Sequence, residues 1–421
     1  MTTLQAEMEI EVKPKNPDEV KWNSDWETVK SQFNLSPDYI HMGTSQYIAS
    51  HPRIVREEID RLRHELDDNP VMAVVRNEQK LAQAGRKAAA KYLGMDDHNQ
   101  IALTNSTTMG LGTIYTGLNI RKGQEILTTE HNYYSQQEAI KRATERTGAA
   151  FREITLYSNI HEVTEEEIVD NIMKEVRDET RVVGTTWVHS NTGLKNPISK
   201  IARALAKVNQ NRDEDTRVLL VVDGVHGFGI ELETLPELGC DYLLTGCHKW
   251  LYGPRGTGII AATSSAWQHV KPVIPSFSEV MYVIAGGGQQ PEHVNGTHMS
   301  PGGFHSLEHL WALPAAFEFV EGIGKKRIYE RVHELNRLCK EGLAEMRHVK
   351  LQTPMSDNLS AGIISFEIEG MTVKDVVKRL VEKKVIATEA PYEKSYARFT
   401  PGIYITPEEI NRALDAVNSL K

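Results

Sequence analysis

From about residue 38 onward the chain alternates between two hydrophobic periods. Short apolar runs stand at 101–103, 125–128, 151–156, 182–188, 218–222, 242–245 and 258–262. Before and between them, stretches such as 52–66, 77–93, 135–146, 165–177 and 198–210 repeat apolar residues at helical spacing. Strand-length runs alternating with helix-length stretches are the mark of a mainly parallel α/β sheet, and the seven runs predict one large doubly wound layer.

The pattern then changes. Residues 276–304 are rich in Gly, Pro and Ser and read as a connection rather than a core element. A helical region is expected over 307–346, broken near 322–324. In 362–370, Ile364, Phe366 and Ile368 alternate with Ser365, Glu367 and Glu369, the spacing of a half-buried strand. Thr406-Pro407-Glu408-Glu409 spells a capping box with Pro in the first turn of a final helix. The expected organisation is an N-terminal arm at 1–37, a large domain at 38–305 and a smaller α+β domain at 306–421.

Composition narrows the function classes. Apolar residues make up 40% and charged residues 25% of 421, ordinary globular usage that excludes wholesale disorder. The balance of 48 basic and 57 acidic residues gives −9, which argues against nucleic-acid or membrane-surface partners. Cys240, Cys247 and Cys339 form no CxxC pair, so neither a disulfide scaffold nor a zinc ribbon is expected. No apolar run approaches membrane-span length and the first residues lack an apolar signal core, which predicts a cytoplasmic protein.

The chemistry concentrates in DYLLTGCHKWLYGPRGTGII, where a strand ends, His248-Lys249 follows, and a glycine-rich loop leads to the next strand. A lysine at a packed sheet edge is desolvated, which lowers its pKa and frees the amine to form a Schiff base. Upstream, VLLVVDGVHGFG sets Asp223 at the carboxyl end of a very apolar strand, where a carboxylate can pair with a protonated pyridine nitrogen. Open α/β sheets bind ligands at that edge. In LTNSTTMGLG a strand runs into Asn105, Ser106, Thr107 and Thr108 at a helix start, whose hydroxyls and N–H groups suit a phosphate.

These motifs, NSTT, VVDGVH, CHKW and GPRGTG, with flanking matches from His41-Met42-Gly43-Thr44 to the strand holding Arg398, resemble the class V aminotransferases. These are fold-type-I pyridoxal phosphate (PLP) enzymes. Within that family the chain is most similar to the isopenicillin N epimerase-like branch, related to the cysteine desulfurases. The resemblance implies an aspartate aminotransferase-like fold, a PLP cofactor, an amino acid substrate and a homodimer with a shared active site. It implies that Lys249 holds the cofactor, Asp223 binds the pyridine nitrogen and His226 lies near the ring oxygen. Ser106, Thr107, Thr108 and His248 would surround the phosphate, and Thr297 would reach the phosphate of the partner subunit. Asn191 would contact cofactor or substrate. In TTEHNYYS, Tyr133 is the first choice and His131 the second for the side chain stacked over the ring. Arg398 would grip the substrate carboxylate.

Three departures stand out. Gly246 occupies a position where relatives often carry Ser or Asn, with Thr245 as a possible substitute. His298 replaces the arginine of the family's Gly-Thr-Arg, and the MSPGGFHSL segment after it is longer than usual. His305-Ser306-Leu307-Glu308-His309 spells an inverted zinc-protease pattern, but its place at the start of a connecting helix argues for no metal. A desulfurase needs a nucleophilic Cys on a loop; Cys339 falls within a helical pattern and 352–362 has none. The expected activity is chemistry at the α-carbon of an amino acid, with transamination or epimerisation first. Elimination or replacement, or oxidative deamination, is the alternative, and a non-catalytic PLP-fold binder is the reading from another class.

Overall fold

The computed structural model describes residues 23–43, 47–289 and 293–420. Most of the expected N-terminal arm, and Thr44 of the first matching motif, lie outside the described residues. The predicted seven-stranded layer is present. It consists of β1 (Ile101–Thr104), β2 (Glu125–Thr129), β3 (Ala150–Ile154), β4 (Thr180–Thr186), β5 (Leu219–Asp223), β6 (Tyr242–Gly246) and β7 (Gly258–Ala262), in the order β1-β7-β6-β5-β4-β2-β3. β2 to β6 pair in parallel, and β7 runs antiparallel to both β6 and β1. The reversal has a local cause. No crossover helix separates β6 from β7, so the chain turns back beside β6 through the tight 247–257 loop, and that loop carries Lys249.

Alternation explains why the sheet is covered on both sides. Leu220 and Val222 of β5 join one hydrophobic cluster, whereas Leu219 and Val221 join the other. In β7, Ile259 and Ala261 face the first cluster, and Ile260 and Ala262 the second. Successive side chains of a strand point to opposite faces, so near-continuous apolar runs signal burial on both. Every residue of β4, β5, β6 and β7 is buried.

A second, antiparallel sheet follows, in the order β10-β11-β9-β8, from β8 (Val349–Leu351), β9 (Ile364–Ile368), β10 (Thr388–Glu389) and β11 (Ala397–Phe399). The strand expected to be half-buried is covered more fully than its alternation predicts. Ser365 of β9 is buried because its hydroxyl donates to Asn191 O at 2.5 Å, so its polar face packs on the loop after β4. Residues near 40 join this region, with Ile40 N–H donating to Lys384 O at 2.8 Å.

The 276–304 connection contains one helix, Glu279–Ala285. The long helical region is divided into Leu307–Trp311, Leu313–Ile323 and Lys325–Ala344. The second break, at Gly324 with φ near 100°, matches the expected site. The first precedes Pro314, which has no N–H to continue the ladder. The final helix, Pro407–Asn418, opens with the predicted capping box between Thr406 and Glu409.

Candidate active site

β1, β4, β5 and β6 end at one edge of the large sheet, and the loops that follow them build a polar hollow. β5 ends in Asp223, which is 2% exposed. Burial raises its pKa above the ordinary carboxylate range, while the Val225 N–H bond at 3.1 Å and the charge of Lys249 act against that rise. Lys249 lies three residues beyond β6. Burial pushes its ammonium toward the neutral amine, Arg398 assists, and Asp223 opposes. Its Nζ lies 3.0 Å from Nε2 of His226, which follows β5 and is 1% exposed.

Thr107 opens the helix Thr107–Gly117, and its buried Oγ1 has no hydrogen-bond partner. The Ser106 hydroxyl instead accepts from Met109 N–H at 3.1 Å as the N-cap, and Thr108 faces outward. His248 has an unpartnered buried Nδ1, and burial beside Lys249 lowers its pKa to about 4. Gly246 ties these two together. A Cβ there would sit 2.7 Å from His248 Cε1 and 3.2 Å from Thr107 Oγ1. The glycine found in place of Ser or Asn therefore leaves room for the imidazole beside the threonine hydroxyl.

Arg398, on β11, is fully buried. Its guanidinium donates to Ser190 O and to Glu389 O, its Nε is unpartnered, and the Tyr47 ring centroid lies 6.0 Å away. Burial lowers its pKa to about 10, with Tyr47 and Tyr392 acting against that. Among the described residues no carboxylate lies within ion-pair distance of it. A buried cation with no anion beside it costs free energy unless a ligand supplies one.

Tyr133 stands 6.0 Å from Tyr392, centroid to centroid, and within electrostatic reach of Asp223 and Arg398. His131 is stacked on Tyr157 at 4.6 Å and lies 5.6 Å from His189, with its buried Nε2 3.6 Å from Glu130 Oε1 and without a hydrogen bond. The Asn191 amide donates to Lys394 O at 3.0 Å while its buried Oδ1 has no hydrogen-bond partner, and the hydroxyl of the preceding Ser190 lies 2.7 Å from that of Tyr392. Thr297, expected to reach the partner subunit's phosphate, lies on the 276–304 connection. It bonds Asn295 Oδ1 at 2.7 Å in a turn laid over β1, so close that a Cβ on Gly296 would meet the Ile101 carbonyl carbon at 2.4 Å. With Asn105 and Ser276 it lines a groove of ≈ 1320 Å³. Tyr47 and Tyr392 carried no motif that would have singled them out, and Ser190 stands beside Asn191 in HSNTG, where only the asparagine was singled out.

The zinc-protease spelling is not assembled: His309 Nδ1 meets Arg255 O at 2.8 Å, and no metal-binding group of three His, Cys, Asp or Glu occurs among the described residues. No helix among them is long and apolar enough to cross a membrane.

The family model "Aminotransferase class-V" matches residues 51–391. The chain belongs to the class V aminotransferase family. It is 24% identical over 410 residues to isopenicillin N epimerase of Streptomyces clavuligerus, covering 94% of this chain and 98% of the relative. It is 22% identical over 297 residues to a probable cysteine desulfurase of Halalkalibacterium halodurans, covering 70% and 68%. Among solved structures, a mutant of C-DES with glycine covalently linked to the PLP cofactor superposes with a TM-score of 0.83 at 20% identity, covering 92% of this chain and 98% of that one. Class V enzymes use pyridoxal phosphate, and the residues present fit that group. Thr107 Oγ1 and His248 Nδ1 are buried polar atoms lacking partners at a helix N-terminus, as a phosphate site requires. Lys249 and Asp223 supply a desolvated amine and a buried carboxylate in the same hollow.

Proposed function

We propose that this class V chain is a PLP-dependent enzyme acting at the α-carbon of an amino acid. The observation that carries the reading is the buried Arg398, which has no carboxylate partner among the described residues, in the same hollow as Lys249 and Asp223. When bound, pyridoxal phosphate supplies an electron sink that stabilises negative charge developing at the α-carbon. Lys249 is the attachment point, and its neutral amine takes and returns a proton. Asp223, held by the Val225 N–H, offers a carboxylate to the pyridine nitrogen. Thr107 and His248 receive the phosphate, with Ser106 and Thr108 flanking them.

Arg398 holds the substrate carboxylate in place of backbone carbonyl contacts and so fixes which α-carbon bond is presented. Tyr133 shares the hollow with Asp223 and Arg398, which supports it over His131 as the stacking side chain. Transamination or epimerisation is the outcome we favour. All three cysteines are fully buried, and burial pushes the Cys339 and Cys247 thiols up to about 12, which argues against a protein-thiol nucleophile.

We further propose a cytoplasmic homodimer in which Thr297 faces the partner's phosphate site. The exposed apolar residues Val273 and Ile274 just before the 276–304 connection and Phe277 and Phe304 on it support a covered surface there. The test is mass spectrometry of products after incubation with a panel of amino acids in deuterated water. Deuterium at the α-carbon of inverted substrate, or the corresponding keto acid, is expected. Recovery of every substrate unlabelled and unchanged from cofactor-loaded protein would refute the reading.

A further inference from the structure

Trp250 follows Lys249 in the chain and is fully buried. Its indole N–H donates to Nδ1 of His226 at 3.3 Å. An indole nitrogen is a donor only, so Nδ1 must be the acceptor and carries no proton. Burial, with the charge of Arg398 acting in the same direction, holds the His226 pKa well below its ordinary value, so the ring is neutral. A neutral imidazole with a bare Nδ1 carries its proton on Nε2. That is the nitrogen 3.0 Å from Lys249 Nζ. The bond between them runs from imidazole to amine and needs a lone pair on the lysine.

We propose that Trp250 is a positioning residue, which fixes the tautomer of His226 so that its Nε2–H donates to Lys249 Nζ and favours the neutral amine. The inference rests on the reading of Lys249 as the reactive amine. The other groups facing that amine do not supply the same bias in the same way. Asp223 favours the ammonium, and Arg398 opposes it by charge at a distance. His248, on the same turn, is itself kept neutral by burial. Without the indole N–H, His226 can hold its proton on Nδ1 and accept from the ammonium through Nε2, which reverses the sign of its influence.

The test uses the full-length apoprotein, so it does not depend on cofactor chemistry. The rate of Lys249 acetylation by acetic anhydride, followed against pH by peptide mass spectrometry, reports the pKa of the amine. Trp250→Phe keeps most of the ring volume and removes the donor. It is expected to move the labelling midpoint up by about one pH unit, roughly tenfold less neutral amine at a given pH. An unchanged or lowered midpoint in folded Trp250→Phe overturns the proposal. Should that variant fail to fold, nitrogen-15 NMR of histidine-labelled wild type reads the tautomer directly, with His226→Gln for assignment. A bare Nδ1 is expected, and a protonated Nδ1 overturns the proposal. Failure of the PLP reading registers elsewhere, as the absence of a cofactor absorption band after reconstitution, and leaves both apoprotein measurements intact.

Discussion

Lys249 and Lys340 are both withdrawn from water, and burial lowers the pKa of each, that of Lys340 to about 8. Their hydrogen bonds separate them. Lys340, on the Lys325–Ala344 helix, donates to Pro354 O at 3.1 Å, Met355 O at 3.0 Å and Ser360 Oγ at 2.6 Å. Three acceptors match the three hydrogens of an ammonium, so this lysine ties down the 354–360 turn. Lys249 has its bond to His226 and otherwise looks across a hollow in which Thr107 Oγ1, His248 Nδ1 and Arg398 Nε are unpartnered. A lowered pKa thus marks burial in both regions. Unpartnered polar atoms occur on the Lys340 helix too, at Arg331 Nε, His333 Nδ1 and Asn336 Oδ1, so what sets Lys249 apart is an amine with one hydrogen bond among several such atoms rather than an ammonium with three acceptors.

The sharpest way to break that comparison is to exchange the losses. Lys249→Ala is expected to reduce amino acid turnover by at least about 1000-fold with the fold intact. Lys340→Met is expected to leave turnover within about threefold, but to lose about 2 kcal/mol in urea denaturation, because three acceptors lose their donor. Comparable loss of turnover in both folded variants would erase the distinction.

A pH series isolates Lys340. Its folded pKa is about 8 against an ordinary value of 10.5, so between these limits the unfolded chain binds the extra proton. Stability contributed by this group therefore rises with pH through that window and is flat below it. Relative to Lys340→Met, the wild type should gain up to about 3 kcal/mol between pH 8 and 10.5, read by urea midpoints. A flat difference would show that the ammonium is not disfavoured there.

On the side of the hollow, Gly246→Ala should displace His248 from beside Thr107 and weaken cofactor binding about tenfold, measured by spectroscopic titration of the apoprotein. Undiminished affinity would mean that these two residues do not form the phosphate cup. The smallest effect is expected from Cys339→Ala: turnover within about twofold and a stability loss of about 1 kcal/mol from the methylene-sized void. A tenfold fall in turnover would revive a thiol mechanism.

Much of this was legible in the chain because it follows from short-range pattern. Continuous buried runs specify β4 to β7, and Asp223 ends, and Lys249 follows, strands that finish at one edge. The capping box at Thr406 is a four-residue signal complete in itself. Other features depend on residues far apart in sequence. Ser365 reads as a solvent-facing position until the loop holding Asn191 covers it. The Asn191 amide meets a carbonyl some two hundred residues away, a contact that no local spacing announces. Thr297 belongs to a Gly-Thr motif legible in the chain, but the packing of its turn over β1, with Gly296 against Ile101, joins residues far apart in sequence. The Trp250–His226 bond joins two turns that no spacing rule connects.

The attachment of PLP to Lys249 is most directly tested by borohydride reduction of the reconstituted protein, followed by proteolysis and peptide mass spectrometry. A reduced cofactor adduct on the peptide bearing Lys249, absent from Lys249→Ala, is the expected result. An adduct on Lys340 or another lysine instead, or none on protein saturated with PLP, would contradict it.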